Sequence, residues 1–259
     1  MDRRDLVKSA IAVAGAAMSG RESEAMAPPA LEFYQLRKYT LRTGPQLMLT
    51  QSYFEHALIP ALNRIGIAAV GAFKLDIGPE TPSYYLLIPA PSAEILTSLD
   101  TRLRQDAEYS QAAAPFLQAP AAAPAFVRVE SSLLSAFAGW PKLVAPKGPK
   151  RIFQLRTYES AGYAGHLRKV QMFDEAEIGI FVRTGLAPVF FGETVIGPRM
   201  PSLTYMLTFA DVNDLNEKWK LFGSDPAWKQ LSQRPENADA EIVSNISNLY
   251  LSPLSSSQI

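Results

Sequence analysis

The sequence predicts an α+β fold built from two tandem ferredoxin-like domains, and three observations carry that prediction. The first is an internal repeat. Gln35-Leu36-Arg37-Lys38-Tyr39 recurs as Gln154-Leu155-Arg156-Thr157-Tyr158, a spacing of 119 residues from Leu36 to Leu155. The same spacing carries Phe54 to Phe173, Gly66 to Gly185, Pro82-Ser83 to Pro201-Ser202, and Asp106 to Asp225, without a gap. The second is the order in which strand and helix periodicities alternate within each copy: strand, helix, strand, strand, helix, strand. The third is length, since 259 residues suit two domains of about a hundred residues each. Two such copies on one chain can face each other across a pseudo-two-fold axis, as a homodimer does.

The chain opens on a segment of a different kind, residues 1–27. Arg3-Arg4 is followed by Leu6-Val7, Lys8 and a short Ala-rich run from Ala10 to Met18, a pattern that resembles a twin-arginine export signal. The run is roughly half the ~20 residues that span a bilayer, so no permanent membrane span is expected. The expected location is periplasmic or extracellular, or cytoplasmic if this segment is only a charged tail.

The first domain is expected over residues 31–137 and the second over 151–254. Phe33 to Leu41 and Ile152 to Glu159 are rich in aromatic and branched residues and read as first strands, followed by turn signals at Gly44-Pro45 and Gly162. In the helix that follows, Phe54, Leu58, Ala61, Leu62 and Ile65 recur at spacings of three and four and stop at Gly66. Gly185 ends the matching helix, and glycine suits a left-handed C-terminal cap. Pro60 removes a backbone donor inside this pattern and should kink or break it.

Val70 to Leu75 and Val189 to Ile196 are the second strands; Tyr84 to Ile88 and Leu203 to Phe209 are the third. A second helix follows each, started by Ser92 or Asp211. Asp225-Pro226 then opens a further short helix, aspartate capping it and proline pre-set at its first position. Phe126 to Leu134 and Ile242 to Leu251 are the last strands. Ala112 to Ala125, built of alanine and proline, interrupts the first copy, and residues 138–150, with Pro141, Pro146 and Pro149, form a semi-extended linker.

Composition narrows the function. The 25 basic and 25 acidic side chains are scattered, leaving no footprint for nucleic acid. The absence of cysteine excludes thiolate chemistry and disulfides. Neither a His-Glu-x-x-His nor a Gly-x-Ser-x-Gly motif is present. Gly192 to Gly197 has phosphate-loop spacing but continues as Pro198-Arg199 on a strand.

The paired Leu-Arg-x-Tyr strands, the helix ending in glycine, and Asp225-Pro226-Ala227-Trp228 resemble the NIPSNAP family across both copies. The first copy departs from that pattern with Asp106-Ala107-Glu108-Tyr109. The resemblance implies a dimeric α+β barrel formed within one chain, two ferredoxin-like sheets packed face to face around a cleft. It implies no settled chemistry.

Strand alternation assigns residues to that cleft. With Leu36 and Leu155 packed under the helices, Gln35, Arg37, Tyr39, Gln154, Arg156 and Tyr158 point into the cleft. With Phe73 and Leu75 on the helix side, Lys74 joins them, and the repeat spacing places Glu193 opposite. These eight side chains either bind an anionic or aromatic small molecule or pair with one another to hold the halves together. His56 lies off the apolar stripe and reads as a surface residue; His166 overhangs the cleft mouth or starts its helix.

No cofactor or metal is expected; the alternative is a haem held by one histidine. Two functions remain: an exported module that binds a small molecule or partner, through the cleft or the outer helices, and a cofactor-independent monooxygenase or isomerase. The second needs a base in the cleft, for which Glu193 and Asp76 are the strand candidates. The outer surfaces remain open to homo-oligomer formation.

Overall fold

The computed structural model describes residues 30–148 and 151–259; the Arg3-Arg4 segment lies outside them. Eight strands, β1 (Phe33–Thr40), β2 (Gly71–Ile77), β3 (Ser83–Ala90), β4 (Arg128–Ala136), β5 (Ile152–Glu159), β6 (Ala187–Ile196), β7 (Ser202–Phe209) and β8 (Asn245–Pro253), close into one barrel. Around it the order is β1-β3-β2-β8-β5-β7-β6-β4. Each copy contributes a four-stranded antiparallel sheet. Two seams join them, β2 with β8 at Leu75 opposite Leu251, and β4 with β6 at Ala136 opposite Gly192. The two sheets are therefore continuous at their edges and face each other only across the barrel interior.

Helices cover the outer face. Over the first sheet lie α1 (Pro45–Tyr53), α2 (Ile59–Arg64), α3 (Ala93–Thr97), α4 (Leu99–Arg104) and α5 (Ala107–Leu117); over the second lie α6 (Tyr163–Met172), α7 (Ile178–Arg183), α8 (Val212–Ser224), α9 (Pro226–Ser232) and α10 (Asp239–Ile242). A π-helical turn joins α1 to α2 at Phe54–Leu58 and α6 to α7 at Phe173–Glu177. Pro60 follows the first turn and Gly179 the second, so the widened turn belongs to the repeated unit and not to proline. Gly66 and Gly185 end these helices at φ 85° and 84°, conformations that glycine adopts without strain. Asp225 caps α9 by accepting hydrogen bonds from the Ala227 and Trp228 amides.

The stretch from Ala112 is helical as far as Leu117, with Pro115 inside α5. The last strands begin at Arg128 and Asn245, later than their hydrophobic runs suggest. The linker is tied to the barrel: Pro141 accepts from the Glu32 amide at 2.9 Å, and the Val144 amide donates to Val189 at 2.9 Å.

Inside the barrel, Tyr34, Phe73, Leu134, Phe153, Phe190 and Met206 are fully buried and fill one end. The C-terminal residues run along β2, the Leu254 and Gln258 amides donating to Ala72 and Val70, and Ile259 turns inward at 3% exposed. Gly71 is needed there, because a Cβ at that position would lie 2.6 Å from the Phe73 ring and 2.8 Å from Ile259.

Candidate functional site

The eight side chains expected to face the cleft lie on the outer face of the barrel instead. Arg37 reaches Asp100 of α4 at 3.0 Å, Tyr39 packs edge-on against Phe54 at 5.0 Å, and Gln35 donates to Ser131 at 3.0 Å. In the second half the Arg156 guanidinium stacks 4.7 Å from the Trp219 ring and donates to the Tyr158 hydroxyl at 2.9 Å. Gln154 accepts from the Trp219 indole at 2.8 Å. Lys74 pairs with Asp76 at 2.9 Å and Glu193 with His166 at 3.0 Å, so the expected Lys74–Glu193 pair is not formed.

The inversion has a physical cause. β3 and β7 are buried at all eight of their positions, since a barrel filled inside and covered outside demands apolar residues on both faces. Leu36 and Leu155 pack inward, and the long Arg and Tyr side chains bury their stems under the helices; Arg156 Nε is left there without a hydrogen-bond partner.

The end of the barrel opposite the aromatic plug is open. It holds a pocket of about 210 Å³ with Leu36, Leu155 and Leu249 as apolar floor and Lys38, Tyr85, Glu130, Thr157, Thr204 and Ser247 on its walls. β1 sets the first wall, because Lys38 stands in register between Tyr85 on β3 and Glu130 on β4. The Lys38 ammonium contacts Glu80 at the rim and lies 3.5 Å from Glu130. Arg128 lies 2.9 Å from Glu80 and 3.3 Å from Glu130. Hydrogen bonds from Lys38 and Arg128 hold the Glu80 carboxyl below the usual carboxylate range. Burial pushes the Tyr85 hydroxyl well above the usual phenol range, keeping it a neutral donor.

The second wall is built on β5. Thr157 stands between Thr204 and Ser247, its hydroxyl 2.9 Å from that of Thr204. Arg199 reaches over this wall, 3.4 Å from Ser247 and 3.5 Å from Glu159. The arrangement can hold a small molecule by apolar contact below and polar contact at two sides.

Sequence reasoning missed this pocket's walls. A usable signal was the change from Lys38 to Thr157 inside an otherwise repeated motif, and from Glu80 to Arg199 at the same repeat spacing. His56 is exposed, as expected of it. His166, on α6, is 2% exposed and bonded to Glu193 at 3.0 Å. Among the described residues there is no group of three or more His, Asp or Glu placed to hold a metal ion, and no helix long and apolar enough to cross a membrane.

Several solved structures share the fold. A putative monooxygenase from Fusobacterium nucleatum superposes with TM-score 0.60 at 9% identity, covering 87% of this chain and 94% of that one. A putative monooxygenase from Lactobacillus acidophilus gives TM-score 0.54 at 11% identity over 86% and 94%, and an anthrone oxidase-like protein gives 0.51 at 9% over 86% and 91%. No curated protein matches the chain. The NIPSNAP family model matches both halves, residues 34–137 and 153–258, and the chain therefore belongs to the NIPSNAP family, as two of its domains in tandem.

Proposed function

We propose that this protein binds one small organic molecule in the open half of its barrel. The observation that carries the reading is the unequal filling of the interior: aromatic side chains pack one end, while the other holds about 210 Å³ between an apolar floor and polar walls. An apolar cavity of about 150 Å³ takes a benzene, so this one suits a molecule of one or two rings. Such pockets, mostly apolar with a few placed polar groups, are the usual form of small-molecule sites. Fluorescence titration with 2-naphthoate tests it. Ser132, opposite Leu36 on β4, also lines the pocket. Saturable one-site binding is expected, lost in Ser132→Trp, whose indole fills the pocket, with the circular dichroism of the fold retained. No binding of any one- or two-ring probe would remove the reading.

A second reading is favoured by one observation, the Glu130 carboxylate beside the Lys38 ammonium on the same wall. A carboxylate can take a proton from a bound ring compound while the ammonium holds the resulting negative charge. A carbanion formed in this way can be oxidised by dioxygen without a cofactor, a ring methylene becoming a carbonyl with release of water. Two fold neighbours are named as putative monooxygenases, and at 9% and 11% identity that likeness supports the fold. Oxygen uptake with anthrone as probe, lost in Glu130→Gln, is the expected result; unchanged uptake in that variant would discard the reading. Export by the Arg3-Arg4 segment is compatible with either function and rests on the sequence pattern alone.

A further inference from the structure

We propose that the pocket takes a hydroxylated aromatic carboxylate in a single orientation, its hydroxyl at Lys38 and Glu130 and its carboxylate at Arg199 and Ser247. The proposal rests on the barrel pocket being the binding site and specifies what it recognises.

The pocket straddles the pseudo-two-fold axis, so each wall residue has a counterpart. In register, Lys38 with Tyr85 and Glu130 stands where Thr157 with Thr204 and Ser247 stands in the other half. Glu80 and Arg199, one repeat apart, occupy the same turn at φ 61° and 63° with opposite charge. The floor keeps the symmetry that the walls break, since Leu36 and Leu155 are equivalent leucines. A ligand matched to this site has a flat apolar body and two unlike polar ends.

The charges decide which end goes where. On the first wall two cations, Lys38 and Arg128, meet two carboxylates, Glu80 and Glu130. An added carboxylate there would compete with both. Glu130, by contrast, meets both cations through Oε2, which is enclosed, and its Oε1 is not used by either. A ligand hydroxyl can donate to Oε1 and accept from Tyr85 or Lys38. On the second wall the Arg199 side chain is 57% exposed, and its contacts at 3.4 and 3.5 Å sit at the long edge of bonding range. With the Ser247 hydroxyl beside it, this guanidinium is suited to a ligand carboxylate.

The experiment compares 6-hydroxy-2-naphthoate, 2-naphthoate and 2-naphthol by calorimetric titration on the full chain. The hydroxy acid is expected to bind about tenfold tighter than either single-headed probe, as one added charge-assisted hydrogen bond implies. Arg199→Glu, which copies the first wall's turn into the second, should weaken both carboxylates about tenfold more than it weakens 2-naphthol. Lys38→Thr with Glu130→Ser copies residues the second wall already accommodates, and should erase the advantage of the hydroxyl. Equal affinities for all three probes on the parent, or no effect of Arg199→Glu on the carboxylates, would overturn the proposal while leaving pocket binding in place. If none of the three binds the parent, pocket binding falls with it.

Discussion

The Lys169 ammonium stands 3.2 Å from the Glu177 carboxylate, with both side chains no more than 3% exposed. It also lies 5.2 Å from the Tyr158 ring and 4.9 Å from the Phe173 ring. One repeat earlier the same two positions are Thr50 and Leu58, both fully buried. The fold unit itself therefore does not require the ion pair. Removing one partner, as in Lys169→Thr or Glu177→Leu alone, strands a buried charge and should cost about 3–5 kcal/mol. The double change Lys169→Thr/Glu177→Leu should cost far less than the sum. Urea denaturation of all three variants checks this, and additive losses would count against it.

The arginines of the repeated motif serve packing on the outer face. Arg37→Met returns the largely exposed Asp100 to water, at a cost of about 1 kcal/mol or less, while Arg156→Met loses its stacking on Trp219, costing about 1–2 kcal/mol. Neither should change the affinity of the barrel pocket for 2-naphthoate. A loss of binding at unchanged stability would show that these side chains reach the ligand after all.

Acid stability should depend on Glu193. The hydrogen bond from His166 holds its carboxyl below the usual range. A depressed folded pKa contributes stability above the unfolded value, about 4.3, and loses that contribution as pH falls through the folded one. The stability gap between the parent and Glu193→Gln should shrink between about pH 6 and pH 3. The effect is modest, as the Glu193 side chain is 40% exposed. Denaturant midpoints across that range measure it; a constant gap would refute it.

The proposed twin-arginine reading predicts that the protein is exported and that export fails when Arg3 and Arg4 are both replaced by lysine, because that route reads the guanidinium pair as an address. Cell fractionation of the double variant decides it. Undiminished export would show that another feature carries the signal.

The duplication, the closing glycines Gly66 and Gly185 and the Asp225 cap were legible in the sequence because each is a local rule with one physical solution. Which face of β1 and β5 points inward was not. Alternation distinguishes faces only where one face meets water, and here Leu36 meets the pocket floor while Arg37 lies under α4. The pocket walls were hidden for a related reason: Lys38, Glu130 and Ser247 are far apart in sequence and meet only through strand register. What was visible, the Lys38 to Thr157 change within a repeated pentapeptide, marks where the copies have diverged.

The two seams of the barrel bear on how it folds. The β4–β6 seam, Ala136 opposite Gly192, closes a shorter stretch of chain than the β1–β4 pairing of Phe33 with Ser135 inside the first sheet, but β2 meets β8 across most of the chain's length, as Lys74 does Ser252. Loop-closure entropy delays such contacts, so the β2–β8 seam should zip last. Until it does, β2 and β8 present unpaired edges, the kind of surface on which a half-formed chain recruits another copy instead of its own partner strand. Refolding yield should therefore fall as protein concentration rises, even though the finished barrel has no free edge.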